Sequence, residues 1–314
     1  MELWNMTLEN NFFLFGILQS SKYPELVCAT ITFLYLMAVT SNGLLLLLIA
    51  MDKRLHVPMY FLLSQLSLMD LLLTTVISPK TFVDYLCGQS TISFSGCGFQ
   101  MFLLLTIGGA EDILLALMAY DRYVAIRHPL NYMVFMRPKV CWSMVATNWL
   151  LASLNALVHT TYTMHFSFCR TREISHLLCE IPPLLKLACG DTTKYQFMVY
   201  TMGVTYLLIP ISAIIASYTL VLTAVFHMPS TQGRKKALLT CSSHLTVVGL
   251  YYGAAVFMYV LPSAYHSPQQ DNIISVFYTI ITPALNPLIY SLRNKDVLGS
   301  LKKLLEKGPS GQEL

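Results

Sequence analysis

Five polar side chains stand inside long apolar stretches of the chain: Asn42, Asp70, Glu111, Asp112 and Asn286. Ionisable groups in such surroundings are costly, and they mark ion sites, proton relays or ligand contacts. Because the five positions fall at similar depths in their stretches, we expect them to form one internal polar cluster. Such a cluster would hold a cation, a proton or water; a hydrogen-bond network with a purely structural role is the alternative.

A second candidate lies at the end of the third apolar stretch, where residues 118–130 read Met-Ala-Tyr-Asp-Arg-Tyr-Val-Ala-Ile-Arg-His-Pro-Leu. Asp121 and Arg122 are adjacent there. An arginine that loses its water at a helix end needs a partner, and one with two alternative partners can act as a two-state switch. The alternative is a simple ion pair whose arginine reaches the membrane surface.

The composition shows what kind of elements must hold these residues. The chain has 314 residues, of which 55% are hydrophobic and 11% charged, with a mean hydropathy of +0.58. Soluble domains carry about 25% charged residues, so this chain has too little charge to cover a water-exposed surface. Intrinsic disorder is excluded by the same numbers. A net charge of +4 is too small to indicate the basic surface of a nucleic-acid-binding protein. We therefore predict a polytopic membrane protein.

Seven apolar stretches are long enough to span a bilayer, which takes about 20 residues per helix. Barrel strands are about half that length and alternate polar with apolar residues, so we predict an all-α membrane protein with a seven-transmembrane helix bundle. No signal-peptide pattern precedes the first stretch, which we expect to act as an uncleaved insertion signal. The predicted spans are residues 26–50, 58–79, 98–120, 140–160, 196–222, 238–261 and 272–292.

The basic residues predict the orientation of the bundle. Of the 20 Lys and Arg, 14 fall on the side that carries the C-terminus, and cytoplasmic loops are the ones enriched in these residues. Residues 1–25 and the long loop 161–195 are then extracellular, and the tail 293–314 is cytoplasmic. The single glycosylation sequon, at Asn5, falls on the predicted outer side.

Four of the eight cysteines also fall on the outer side, namely Cys97, Cys169, Cys179 and Cys189. Disulfides persist in that compartment. Four cysteines permit three pairings. In one of them, Cys97–Cys179 ties the long loop to the third span and Cys169–Cys189 closes the loop on itself; the sequence leaves the choice open.

Taken together, several motifs in order along the chain resemble those of olfactory (odorant) receptors, which are rhodopsin-like (class A) G-protein-coupled receptors. The resemblance covers essentially the whole chain. Arg127 departs from the family pattern, where a cysteine is usual, and adds a cation at the cytoplasmic face. The motifs are Asn-Gly at 42–43, Leu-His-Val-Pro-Met-Tyr-Phe at 55–61, Leu-Ser-Leu-Met-Asp at 66–70, the string at 118–130, Ser-Tyr at 217–218, Lys-Ala at 236–237, Thr-Cys-Ser-Ser-His-Leu at 240–245, and Pro-Ala-Leu-Asn-Pro-Leu-Ile-Tyr-Ser-Leu-Arg-Asn at 283–294.

The resemblance implies roles for the polar residues. Asp121 would restrain Arg122 at rest, and Arg122 would engage the G protein once released. The remaining residues of this activation set are Tyr123, Tyr218, His244, Asn286, Pro287 and Tyr290. The resemblance also implies a sodium or proton site at Asn42, Asp70 and Glu111. Two neighbouring carboxyl groups cannot both ionise cheaply, so they would share a proton or a cation.

A ligand pocket is expected among the outer halves of spans three, five and six. We expect it to be apolar with hydroxyls and to have no strong charge in its upper part, which favours a small neutral volatile ligand that accepts hydrogen bonds. Asp112 would lie at the pocket floor or in a structural hydrogen bond. Helical spacing from Arg122 and Pro210 places Leu104, Leu105, Gly108, Met202, Gly203 and Tyr206 near the pocket. The candidate lining is completed by Tyr252, Val256 and Tyr259 in the sixth span and Thr279 in the seventh.

The function expected from this resemblance is an odorant receptor that activates a stimulatory, olfactory-type G protein and raises cyclic AMP. The plasma membrane of sensory cilia is the implied location, and a structural sodium ion is the one bound group implied. The chain after residue 293 is predicted to form a short amphipathic helix on membrane lipid. The alternatives are a class A receptor for another small ligand and a transporter, but the chain shows no internal repeat. It has no catalytic motif that would indicate an enzyme.

Overall fold

The computed structural model describes residues 11–169, 172–261, 267–291 and 294–306, except for the side chain of residue 236. Asn5, residues 292–293 and the tail from 307 onward lie outside this part of the chain. Seven helices are long and apolar enough to cross a membrane in the described residues. They are α1 Pro24–Met51, α2 Pro58–Cys87, α3 Phe94–Arg127, α4 Pro138–Met164, α5 Thr193–Phe226, α6 Thr231–Tyr259 and α7 Pro268–Ser291.

Local sequence signals fix where these helices begin and end. Proline occupies the first turn of α1, α2, α4 and α7, where its missing N–H costs nothing. Ser93 caps α3, because its hydroxyl accepts a hydrogen bond from the Gly96 N–H at 3.1 Å. Gly88 ends α2 at φ 64°, in the left-handed region that favours glycine. Most helices therefore run past the apolar stretches to the next polar turn.

The sixth helix is displaced relative to the predicted span of 238–261. It begins at Thr231, because Ser230 caps it by accepting a hydrogen bond from the Gly233 N–H at 3.2 Å, and it ends at Tyr259. The basic residues after Gly233 therefore lie on a helix that projects beyond the apolar stretch.

The third helix is the centre of the bundle. It packs against α2, α4 and α5 along its length, and contacts α6 as well. Leu114, Leu115 and Met118 on α3 are fully buried. Since α3 carries both the internal acids and the Asp121–Arg122 pair, the two predicted polar regions share one rigid element.

The outer end of the bundle is closed by a small sheet that the sequence did not predict. Its strands are β1 Asn11–Leu14, β2 Thr91–Ser93 and β3 Glu173–Ile174, in the order β2-β1-β3. β1 pairs antiparallel with β2, with Phe12 opposite Ile92, and parallel with β3. The N-terminal segment, expected only to be extracellular, therefore packs over the helices.

The loop between α4 and α5 carries two disulfides. Of the three pairings open to the four outer cysteines, the structure contains Cys97–Cys179 and Cys169–Cys189. A one-turn helix, Ile181–Leu185, follows Cys179. Since α4 runs to Met164 and α5 begins at Thr193, the loop is shorter than the predicted 161–195 and lies directly over the helix ends.

At the inner end, α8 Lys295–Glu306 follows the seventh helix. The apolar residues of α8 divide into two groups. Val297 is buried and Leu301 and Leu304 pack on the core, whereas Leu298 and Leu305 remain exposed. The Ser300 hydroxyl donates to the Asp52 carboxylate at 2.6 Å, which docks α8 on the turn after α1.

Candidate functional site

A cavity of about 210 Å³ opens among the outer halves of α3, α5 and α6. Drug-sized ligands occupy pockets of about 300–1,000 Å³, so this volume suits a smaller molecule. Most of its lining is apolar. The predicted pocket residues that line it are Leu104, Leu105, Gly108, Asp112, Met202, Gly203, Tyr206 and Tyr259.

Three predicted pocket residues lie outside this lining: Tyr252, Val256 and Thr279. α6 instead presents Tyr251, Ala255, Met258 and Tyr259, which share one face at helical spacing. Tyr252 is turned toward α3 and Val256 is exposed. Thr279 donates to the carbonyl of Ser275 within its own helix, at 2.5 Å. The cavity-facing side of α6 was predicted one residue too far along the helix. On α7, Tyr278 lines the cavity in place of the predicted Thr279.

The cavity roof comes from the long loop, through Cys179, Glu180, Ile181 and Pro182. Its position depends on two contacts. The Cys97–Cys179 bridge fixes it to α3, and the main-chain N–H of Cys179 donates to the Gln100 side chain at 3.0 Å. A partial signal for this roof was present in the sequence, since one of the three possible cysteine pairings, Cys97–Cys179, places the residues after Cys179 over the helices.

Glu180 overturns the expectation that the upper part of the pocket has no strong charge. This carboxyl group is buried, lines the cavity and accepts a hydrogen bond from the Tyr278 hydroxyl. The pocket was expected among the helices alone, so the charge that the loop supplies was not predicted. Asn155 and His159 of α4, also unpredicted, add polar atoms to the lining.

Below the cavity lies the polar cluster expected from the sequence. Asn286 donates to both carboxylate oxygens of Asp70, at 3.0 and 3.2 Å. Glu111 lies within electrostatic range of Asp70 and also lines the cavity floor. Asn42 bonds elsewhere, donating to the carbonyl of Pro283 at 3.0 Å, so it joins α1 to α7. The cluster therefore connects α1, α2, α3 and α7.

The chemistry of this cluster suits a hard cation or a shared proton. Within the described part of the chain, no group of three or more His, Cys, Asp or Glu side chains is arranged to bind a metal. The cluster does offer oxygen donors: the Asp70 carboxylate and the amide oxygens of Asn42 and Asn286, which are buried and have no protein partner among the described residues. Oxygen ligands are those that hard cations prefer.

At the inner end of α3, Arg122 is held in a closed arrangement. Its guanidinium lies 3.3 Å from the Asp121 carboxylate and also contacts the Met59 sulfur. Asp121 is fully buried and Arg122 is 9% exposed. A further constraint comes from Tyr132, whose hydroxyl donates to Asp121 at 2.7 Å. Burial and the neighbouring Asp121 carboxylate raise the pKa of Tyr132, so its hydroxyl stays a neutral donor.

The other residues of the predicted activation set surround this pair. The Tyr218 hydroxyl lies 2.7 Å from the His244 Nδ1, joining α5 to α6. On α7, Pro287 lies inside the helix and the hydroxyl of Tyr290 is buried with no partner among the residues described. Tyr123 is half-buried and packs against His128. Tyr218 and His244 thus lie within electrostatic range of Arg122, and Tyr290 lies within range of both Arg122 and Asp70.

Seven membrane-spanning helices, a ligand-sized cavity at one end and a buried Asp-Arg pair at the other define a G-protein-coupled receptor. The family model described as "Olfactory receptor" matches residues 31–307. Human olfactory receptors 2AG1 and 2AG2 are each 67% identical to this chain over 307 residues, covering 98% of it and 97% of each relative. Human olfactory receptor 2T27 is 52% identical over 305 residues, 97% of this chain and 96% of its own length.

The chain belongs to the olfactory receptor family. Its members are multi-pass membrane receptors for small molecules that act through G proteins, and they are not enzymes.

Proposed function

We propose that this receptor binds small volatile odorants in the outer cavity and activates the stimulatory olfactory G protein, which raises cyclic AMP in sensory cilia. The observation that carries the proposal is the stacking of cavity, polar cluster and Arg122 along the single helix α3. A ligand that changes the contacts of α3 at its outer half acts on the element that also holds the inner ion pair.

The cavity supports a small and largely apolar ligand. Its lining is dominated by aliphatic, glycine and tyrosine residues, and its volume is small. Glu180 already accepts a hydrogen bond from the Tyr278 hydroxyl, so this carboxyl oxygen does not need a ligand as its partner. An uncharged molecule therefore remains the ligand class that we propose.

Two tyrosines give a route from the cavity to the inner face. The Tyr251 hydroxyl donates to the Gly108 carbonyl at 2.7 Å, and the Tyr252 hydroxyl donates to the Asp112 carbonyl at 3.3 Å. Both bonds tie α6 to α3 at the cavity floor. A ligand that displaces the Tyr251 bond, which lies on the cavity wall, shifts α6. The inner half of α6 holds the His244–Tyr218 contact, so this shift frees Arg122 to meet the G protein.

The polar cluster is proposed to hold a sodium ion or a shared proton in the resting receptor. Asp70 and Glu111 would supply the charge, with Asn42 and Asn286 nearby. The ion would supply positive charge that lets the carboxyl groups stay close together.

Outside the described residues, we propose that Asn5 carries an N-linked glycan.

A cell assay that reads cyclic AMP against an odorant panel tests the proposal. Wild-type receptor is expected to give an odorant-dependent signal that Arg122→Ala abolishes at equal surface expression. Signal retained by Arg122→Ala would contradict the role of the ion pair. Substrate flux without G-protein coupling would favour the transporter alternative and overturn the proposal.

A further inference from the structure

Two polar atoms on the cavity floor have no hydrogen-bond partner among the described residues: the Asp112 Oδ1 and the Tyr206 hydroxyl. Both atoms are buried, both residues line the cavity, and Asp112 as a whole is only 4% exposed. Buried polar atoms are nearly always paired. An unpaired acceptor and an unpaired hydroxyl on two residues that line one cavity therefore point to a ligand group that pairs with both.

The two atoms belong to one small region. A Cβ placed on Gly109 would lie 3.6 Å from the Tyr206 hydroxyl, so this hydroxyl rests on the turn of α3 that begins at Gly109. Asp112 is three residues further along the same helix, where side chains lie about 5–6 Å apart on one face. One functional group at this point can reach both side chains.

The surrounding contacts hold this region in place. On the α6 side, the Asp112 and Gly108 carbonyls accept hydrogen bonds from Tyr252 and Tyr251. Because Gly109 has no side chain, the Tyr206 ring lies against the backbone of α3. The two unpaired atoms thus belong to a packed floor.

We propose that Asp112 and Tyr206 form a polar anchor that selects ligands bearing a hydroxyl group, that is, small alcohols. The ligand hydroxyl donates to the Asp112 carboxyl oxygen and accepts from the Tyr206 hydroxyl. Its apolar remainder extends upward between Leu104, Leu105 and Met202. This assignment rests on the proposed function, since it takes the cavity to be the odorant site.

Other polar groups satisfy only part of this anchor. An ether or an aldehyde accepts from Tyr206 but has no proton for Asp112. A primary ammonium donates to Asp112, but it has no free lone pair and cannot accept from the Tyr206 hydroxyl. A hydroxyl pairs with both atoms and stays neutral, which makes it the best fit.

The test uses the purified full-length receptor and measures apparent Kd from ligand-induced thermal stabilisation, a readout that needs no G protein. The probes are hexanol, hexyl methyl ether, hexanal and hexylamine, together with the same four groups on a cyclohexylmethyl skeleton. The alcohols are expected to bind tightest in the wild type. Tyr206→Phe and Asp112→Leu are each expected to weaken alcohol binding by about 3- to 10-fold. Asp112→Leu should leave ether binding unchanged, whereas Tyr206→Phe should weaken ether binding as well, because the ether accepts from the Tyr206 hydroxyl.

Two further variants keep the result interpretable. Tyr200→Phe removes a hydroxyl from the exposed side of the same helix, where Tyr200 is 52% accessible, and should leave every affinity unchanged. Asp112→Asn retains an acceptor oxygen and should keep most of the preference for alcohols, which a loss of folding would not allow.

The proposal is overturned if ethers or amines bind as tightly as the alcohols. It is also overturned if the preference for the alcohol over the ether survives in Asp112→Leu, or if Tyr206→Phe binds the alcohol as tightly as the wild type does. Alcohol binding that the two variants weaken, without any cyclic AMP response in cells, would uphold the anchor and contradict the proposed signalling function instead.

Discussion

At the scale of single residues, the Asp121–Arg122 pair depends on a residue outside its own motif. Asp121 neutralises Arg122, but Asp121 is fully buried and needs further hydrogen bonds to stay ionised there. Tyr132, from the short helix Tyr132–Phe135, supplies one of them. The resting ion pair is therefore built from α3 together with the loop that follows it.

Replacing Tyr132 with Phe is expected to raise basal signalling. The change removes the hydroxyl that donates to Asp121, a bond worth about 0.5–1.5 kcal/mol, and so weakens the hold on Arg122. Ligand-free cyclic AMP, normalised to surface expression, measures the effect, with Tyr120→Phe on the exposed side of α3 as the control. Basal signal equal to that of the control would show that Tyr132 does not restrain the pair.

Sequence motifs predicted which residues form the polar cluster and the ion pair, because these residues lie on α2, α3 and α7 at fixed helical positions. They did not predict the partners that come from connecting segments. Glu180 reaches the cavity through a disulfide, and Tyr132 reaches Asp121 through a turn. Such contacts depend on the path of a loop in three dimensions, which a local pattern does not determine.

At the scale of secondary-structure elements, the docking of α8 depends on Asp52. This residue accepts hydrogen bonds from Arg54 and Ser300. The hydrogen bonds from Arg54 and then from Ser300 hold the pKa of Asp52 below its ordinary value. The ionised form of Asp52 is therefore favoured in the folded receptor.

The sign of the pH effect follows from the lowered pKa. The contribution of Asp52 to stability is complete above its unfolded-state pKa of about 3.9 and is lost as the pH falls through the lower folded-state value. Acidification should thus release α8 in the wild type, and Asp52→Asn should remove this part of the pH dependence. A fluorescent label on α8 reports the release; identical acid profiles for the two proteins would contradict the role of Asp52.

The two disulfides are expected to differ in their effect on stability. Cys97–Cys179 closes a loop of 82 residues and Cys169–Cys189 one of 20. The chain entropy that each bridge removes from the unfolded state predicts a stabilisation of about 4.5 kcal/mol for the first and about 3.3 kcal/mol for the second. The double variant Cys97→Ser/Cys179→Ser also frees the cavity roof, so it should lose odorant response at concentrations where Cys169→Ser/Cys189→Ser still responds. Dose-response curves at matched surface expression compare the two, and equal loss would count against the role of the roof.

The lengths of the apolar stretches predicted the number of spans, and helical spacing predicted most of the α3 and α5 faces of the cavity. It failed on α6, where Tyr252 and Val256 were expected to line the cavity but Tyr251 and Ala255 do so. The apolar residues of a membrane helix face lipid as readily as protein, so hydrophobicity does not fix its rotation. The strand β1 was missed because its pairing partners lie in two distant loops.

At the scale of the whole molecule, the receptor is a bundle closed at both ends. The small sheet and the bridged loop close the outer end over the cavity, and the Asp121–Arg122 pair closes the inner end. Between them, the Asp70 cluster joins helices from both halves of the bundle. Ligand binding in the cavity must therefore act through the helices, since the cavity and Arg122 do not contact each other.

Filling the cavity tests this arrangement most directly. Gly108 lines the cavity, and a Cβ added there would meet no atom within 4 Å, so Gly108→Leu projects its side chain into the ligand volume. Gly249→Leu is the matched control, since Gly249 is an exposed position on α6 with equal room. The measurement is the cyclic AMP dose-response to the odorants that activate the wild type, at equal surface expression. We predict that Gly108→Leu loses the odorant response and keeps ligand-free signalling, while Gly249→Leu responds like the wild type; a full odorant response in Gly108→Leu would contradict binding in this cavity.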